Sequence, residues 1–373
     1  MGGKGVNYGR ARAAVAGCAL SGLAAVACAG GGPAPMAGLP PADVPGAAAP
    51  PRDVAVVWRR DVGPSVFAAP SVQGDVVIVA TGKGDVIAMS TRTGERIWRR
   101  GLGGPIRGFV VAGGRVYAAA DRAAGKAAAL AVSDGREVWA QRVGAAAYAP
   151  VVADGVVIVA TDSGTVAALD ASTGAARWSA RLAGNVAAPP TAVEGAVLVA
   201  TRTDTLYHLD PGSGAILART PLPARVSAAA VVRGDEVLLP LYSGAVAGYD
   251  PVARAIVWRA ELGAPVLGAP VVAPGGDAFV LTEEAVVWRI PAGGGQAERV
   301  VELGGAAVGS LALAGERLIV GRLDGTLFGV SLDGSIAWRA RLEDSIVAPA
   351  AVDGNGVVAA LRRGKVVRVE VMR

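Results

Sequence analysis

A phrase of about forty residues recurs along this 373-residue chain. Its clearest copy begins Ala149-Pro150-Val151-Val152 and continues Ala153-Asp154-Gly155, Val156-Val157-Ile158-Val159-Ala160-Thr161. It closes Asp162-Ser163-Gly164, Thr165-Val166-Ala167-Ala168-Leu169-Asp170, Ala171-Ser172-Thr173-Gly174 and Ala175-Ala176-Arg177-Trp178. Self-similarity at this period, with four short apolar runs per unit, is the signature of a β-propeller blade. Val, Ile and Ala fill the runs, which suits packed, pleated strands. No helical apolar period of useful length occurs in the repeats. The recurring glycines supply the positive φ that tight turns need.

Tryptophans count the units. Trp58, Trp98, Trp139, Trp178, Trp258 and Trp338 stand 40, 41, 39, 80 and 80 residues apart. Each gap of 80 hides a degenerate slot, which the alignment fills with Ala218 and Arg299. Trp288 is out of phase and lines up with Gly248 inside another strand. A Trp recurring once per blade is expected to pack between neighbouring blades, because its large apolar surface gains most where two sheets meet. Asp170, Asp210 and Asp250 precede turns and are expected to accept backbone hydrogen bonds there.

The ends of the repeat array predict how it closes. The last unit begins at Ala348-Pro349 and has three strands but no Trp strand, while Val54–Arg60 is a lone Trp strand with no unit before it. Joining them gives an all-β, eight-bladed propeller of four-stranded antiparallel blades over residues 54–373, its N-terminal strand completing the last blade. Such closure leaves no long unpaired edge. Seven blades result if one degenerate unit is not a true blade.

The chain is 52% hydrophobic, but its apolar residues fall in short runs and no stretch of about 18 occurs within the repeats. Net charge is +5; Lys4, Arg10 and Arg12 supply three of those charges, leaving +2 for the remainder. Without a basic stripe interleaved with aromatics, nucleic-acid binding is unsupported. Residues 1–27 read as a signal peptide, basic to Arg12 and apolar from Ala13 to Ala27. Ala25-Val26-Ala27-Cys28 resembles a bacterial lipobox with Cys28 as the lipidated residue, although Ala25 stands where Leu is usual. Val15-Ala16-Gly17-Cys18 is a better local match but leaves too few apolar residues before it; an unlipidated secretory signal is the other alternative. Residues 28–53, rich in Gly, Ala and Pro, read as a tether that would span roughly 70 Å at ~3 Å per residue. Ala29 after the cysteine leans toward the outer membrane. No cysteine follows Cys28, so the propeller carries no disulfide.

Candidates for chemistry are few. His208, the one histidine of the chain, occupies the strand slot of Ala168 and Gly248 and is expected to have a packing or surface role. One His cannot build a His-based metal cluster, and no Gly-x-Ser-x-Gly elbow is present. Gly82-Lys83-Gly84-Asp85 lacks Walker spacing and sits at a strand-to-strand turn. Asp162-Ser163-Gly164 and Asp324-Gly325-Thr326 lack the acidic ladder of calcium loops and read as hairpin turns.

The phrase Gly164-Thr165-Val166-Ala167-Ala168-Leu169-Asp170, then Thr173-Gly174 and Trp178, resembles the repeat of pyrroloquinoline-quinone-type propellers, as does Gly84–Met89 with Thr93-Gly94 and Trp98. The resemblance spans about residues 54–371 and is specific for fold rather than function. Quinoprotein dehydrogenases share it but are longer, and they use calcium and commonly an adjacent cysteine pair; this chain has no such pair. Signal, tether and bare ring together resemble BamB-type lipoproteins. That resemblance implies a non-catalytic envelope scaffold without a cofactor, on the outer membrane facing the periplasm. Its implied partners are envelope proteins, among them the outer-membrane β-barrel assembly machinery. A quinone- or other ligand-binding propeller with an enzymatic or sensory role is the alternative. In BamB-type proteins a longer Leu-Arg loop and nearby acidic residues contact the barrel-forming partner. The corresponding joins here, Leu182–Val186 and Leu222–Val226, are short and lack the pattern, so no partner-binding residue is carried over.

Overall fold

The computed structural model describes residues 54–121, 125–307, 309, 311–354 and 356–371. The 1–27 signal, the 28–53 tether and both candidate lipidation sites, Cys28 and Cys18, lie outside the described residues. Those described form 32 strands in eight four-stranded antiparallel sheets. Blade 1 is Ser71–Gln73, Val76–Ala80, Asp85–Ser90 and Arg96–Gly101; blades 2 to 7 repeat it in chain order, and their outer strands end at Arg142, Arg181, Pro221, Glu261, Glu302 and Arg341. Blade 8 takes three strands from the C-terminal end, Ala351–Asp353, Gly356–Ala360 and Lys365–Val371. Its outer strand is Val54–Asp61, paired with Lys365–Val371 from Val54↔Val371 to Asp61↔Lys365. The ring therefore has eight blades and closes non-covalently between the two ends of the repeat array. First strands of neighbouring blades touch one another, which places them at the axis and the fourth strands at the rim.

The core is divided as the ring is. Eight apolar clusters each join residues of two adjacent blades, one per seam. Second and third strands bury both faces: Val77, Ile78, Val79 and Ala80 are all fully buried. A strand buried on both sides reads as a continuous apolar run rather than an alternation, which explains the Val-Val-Ile-Val-Ala and Ala-Val-Leu-Val-Ala segments.

At four seams the outer-strand tryptophan reaches the third-to-fourth-strand turn of the next blade. Trp58, Trp98, Trp139 and Trp178 donate through Nε1 to the carbonyls of Thr91, Val132, Ala171 and Pro211 at 2.6–3.0 Å. A glycine of that turn lies flat on each ring: Gly94, Gly135, Gly174 and Gly214, all at φ of 69–74°. Across the strand pair, five of the six tryptophans face a small residue, namely Ala88, Ala129, Ala168, Gly248 and Gly329. Trp258 keeps its turn glycine, Gly294, but donates instead to Glu236 Oε2 at 2.7 Å. The buried Arg233 pairs with Glu236, stacks on Trp258 and supplies the inter-blade bond, Nη1 to Pro291 O at 2.9 Å. One seam thus splits between two side chains the work that a single indole does elsewhere.

The degenerate slots differ from the sequence reading in one place. Ala218 faces His208, so the volume lost on the outer strand is returned from the third strand. No indole lies beneath the next turn, and Arg254 (φ 56°) stands where the other seams need glycine. In blade 6 the outer-strand bulge falls between Val287 and Trp288, one residue earlier than in the other blades. Val300, not Arg299, therefore lies against the turn glycine Gly334, and Arg299 stacks on Trp288 at 5.2 Å. The ladder Val280↔Trp288 matches Leu239↔Ala247, so Trp288 is level with Ala247 and not with Gly248. It consequently faces the seam toward blade 5, where, like Trp258, it packs against the apolar cluster of that seam.

Candidate interaction face

The exposed aromatic side chains of the described residues gather at one end of the ring. There, each second-to-third-strand turn meets the connector entering its own blade. A residue one or two past the second strand donates its backbone N–H to that connector: Gly82 to Ser65, Asp162 to Ala145, Arg202 to Asn185, Tyr242 to Arg225, Glu283 to Pro265 and Arg362 to Ser345, at 2.7–3.1 Å. The repeated bond fixes the backbone and leaves these side chain positions variable from blade to blade. Asp162 pairs with Arg202 of the next blade at 3.4 Å, and Asp121 with Arg107 at 2.5 Å. Both aromatic side chains exposed among the described residues, Phe67 (50%) and Tyr242 (52%), lie at this end. Each carries a guanidinium over its ring, Arg107 at 6.0 Å and Arg225 at 4.5 Å.

The opposite end is turn chemistry. Asp170 Oδ1 accepts from the backbone N–H of Ser172 and Thr173, Asp210 from Gly212 and Ser213, and Asp250 from Val252 and Ala253. Hydrogen bonds from Ser172 and Arg177 hold Asp170 far below the ordinary carboxylate range, and Ser213 does the same more mildly for Asp210. These groups brace turns and have little capacity left for a ligand.

His208 is buried between blades 4 and 5, hydrogen-bonded through Nε2 to the Tyr249 hydroxyl, which also bonds Thr220 Oγ1 at 3.0 Å. Burial first, and then the Arg254 charge, push its pKa below the ordinary 6.5. It lies within a strand at the seam and not in the second-to-third-strand turns. Among the described residues no group of three or more His, Cys, Asp or Glu is placed to hold a metal ion. Two surface clefts are an open one of about 650 Å³ at Glu316, Arg317 and Asp333, and one of about 530 Å³ along the blade 8 to blade 1 seam. The latter is lined by Arg60, Lys83, Arg96 and Arg99 with Asp61, Asp85 and Glu95. Neither brings together a nucleophile, a base and an oxyanion donor.

Comparison with known proteins gives a consistent family and a wider circle of shapes. The family model described as "Outer membrane protein assembly factor BamB" matches residues 47–149, 123–253 and 243–372. No curated protein matches the sequence. Among solved structures, BamB from Moraxella catarrhalis superposes with a TM-score of 0.71 at 18% identity, over 85% of this chain and 100% of that one. The computationally designed Ika8 protein gives 0.73 at 16% identity, over 84% and 98%. The quinohemoprotein alcohol dehydrogenase from Comamonas testosteroni gives 0.68 at 16% identity, over 86% of this chain and 77% of that one. At such identities these structures share the fold, and BamB, a designed protein and an alcohol dehydrogenase all display it.

Proposed function

Because this chain belongs to the family of the outer membrane protein assembly factor BamB, we propose that it is a non-catalytic scaffold of the bacterial envelope that assists assembly of outer-membrane β-barrel proteins. The match of the family model along the entire ring carries this reading. The end with the second-to-third-strand turns supports it by offering exposed aromatic–arginine pairs on a rigid frame, the composition typical of binding hot spots. A rigid ring loses little conformational freedom on association, which favours its use as a platform. Lipid on Cys28 and the 28–53 tether would hold the ring at the periplasmic side of the outer membrane, free to meet partners within ~70 Å.

A quinone-binding role is the second reading, favoured by the dehydrogenase likeness. The residues present do not fit it. A calcium-assisted quinone needs converging carboxylates, whereas Asp121 and Asp162 stand on separate blades and are each paired with an arginine. Two experiments test the proposal. Affinity purification of the full-length protein from solubilised envelopes is expected to recover a barrel-assembly component, and its consistent absence refutes the specific role. Titration with pyrroloquinoline quinone and calcium is expected to give neither saturable binding nor dye reduction; turnover would refute the non-catalytic part.

A further inference from the structure

Blade 1 departs from its seven siblings at the interaction face. The turn residue that bonds the connector is Gly82, where other blades carry Asp162, Arg202, Tyr242, Glu283 or Arg362. The φ of Gly82 lies outside the left-handed region, so its backbone does not require glycine. Space requires it: a Cβ there would stand 2.8 Å from Phe67 Cε2 and 2.1 Å from Ser65 Oγ. The missing side chain makes a seat for the Phe67 ring, which Arg107 covers from the neighbouring blade at 6.0 Å. Phe67 thereby rests its ring edge against Gly82 while half its surface remains in water. Ordered, half-exposed aromatics with a guanidinium stacked on them are costly to leave solvated and effective at interfaces.

The surroundings of this seat are basic. Lys83 follows Gly82, is exposed, and makes no ion pair among the described residues, although it borders the cleft that also holds Asp61, Asp85 and Glu95. On the other side, the blade 8 turn carries the exposed Arg362 and Arg363. That turn abuts the connector leading to Phe67, with Gly364 O accepting from Val62 N at 2.8 Å. Neither Arg362 nor Arg363 pairs through its side chain with an acid among the described residues; Asp344 instead accepts the Arg363 backbone N–H at 2.9 Å. Three cations without an ion pair among the described residues therefore stand near one aromatic platform, in a chain whose residues beyond the first 28 carry only +2 in all.

We propose that the Phe67 platform, with Lys83, Arg362 and Arg363, is a docking site for an acidic polypeptide segment that lays an apolar side chain on the ring. The site rests on the scaffold reading and identifies the chemistry of one of its partners. Charge complementarity selects acidic groups. A peptide fits better than a membrane surface because Phe67, half buried against Gly82 and beside Arg107, does not project as a wedge that could enter lipid.

The test uses full-length protein and a fluorescein-labelled decapeptide of alternating Glu and Val, its Lys–Val counterpart, and phosphatidylglycerol vesicles. The Glu peptide is expected to bind saturably and to weaken as salt rises, while the Lys peptide does not bind. Phe67→Ala and Gly82→Asp should each raise Kd at least fivefold, and Lys83→Glu combined with Arg363→Glu at least tenfold. Arg339→Glu on the blade 7 rim should leave Kd unchanged. Melting followed by circular dichroism confirms that each variant is folded; where Gly82→Asp is not, Phe67→Ala decides. Absence of saturable Glu-peptide binding overturns the proposal, as do equal binding of the Lys peptide and indifference to the charge reversals. Tighter binding to vesicles that displaces the peptide reassigns the site to lipid and equally overturns it. If peptide binding fails while the wild-type protein still recovers barrel-assembly components, this site is wrong and the scaffold reading stands.

Discussion

Gly135→Ala isolates what the repeated tryptophan–glycine contact contributes to the ring. A Cβ at Gly135 would lie 2.5 Å from Trp98 Cδ2, 2.6 Å from Cε3 and 3.0 Å from Cγ. Carbon atoms prefer about 3.5–4.0 Å, so the methyl intrudes by roughly 1 Å on an indole held by its bond to Val132 O. Overpacking of this kind costs about 1–3 kcal/mol. The left-handed backbone at φ 69° adds about 1–2 kcal/mol for any Cβ. The sum is about 2–5 kcal/mol. Gly195 supplies the control, because it has the same φ of 69° with nothing within 4 Å of its Cβ position. Gly195→Ala should therefore cost only the backbone part, about 1–2 kcal/mol. In a Trp98→Ala background the cost of Gly135→Ala should fall to that same level, a coupling of about 1–3 kcal/mol. Urea unfolding followed by far-ultraviolet circular dichroism measures all five proteins, and equal slopes would license the comparison. Equal penalties at Gly135 and Gly195, or no coupling with Trp98, would refute the argument that the indole dictates glycine at the turn.

Other expectations follow from the seams. Ala218→Trp restores the repeat's common residue yet should destabilise by about 1–3 kcal/mol, since His208 and Arg254 already occupy that seam; thermal melts will show whether adding His208→Ala and Arg254→Gly recovers the loss. His208 is held below its ordinary pKa of 6.5, chiefly by burial, so the unfolded chain binds the proton more readily. Its contribution to stability is complete above pH 6.5 and lost as pH falls below that value; urea midpoints at pH 7.5 and 5.0 should diverge in the wild type and far less in His208→Gln. Starting the chain after Asp61 removes the outer strand of blade 8 and exposes the Lys365–Val371 edge, so the truncated protein should unfold or self-associate on size-exclusion chromatography, whereas starting it at residue 53 should not.

Much of this architecture was legible in the residues because a propeller repeats its physics. Spacing of Trp58 through Trp338 gave the period, and the orphan strand at Val54–Arg60 gave the closure. Arg299 and Trp288 were misplaced because a bulge shifted by one residue leaves no mark in composition while changing which side chains face which seam. The sequence places His208 and Ala218 in their slots, but their pairing across two strands, large against small, becomes visible only through the ladder. The Phe67 platform joins a connector to a turn fifteen residues later, outside any local pattern. Gly82, alone among residues that are charged or bulky in the sibling turns, was the available signal.

The most direct test of the envelope role measures barrel assembly in cells. Pulse-labelled outer-membrane β-barrel proteins should reach their heat-modifiable folded form more slowly when this chain is absent, and at the normal rate when it is restored. Folding that proceeds at the same rate with and without the chain would contradict the assignment.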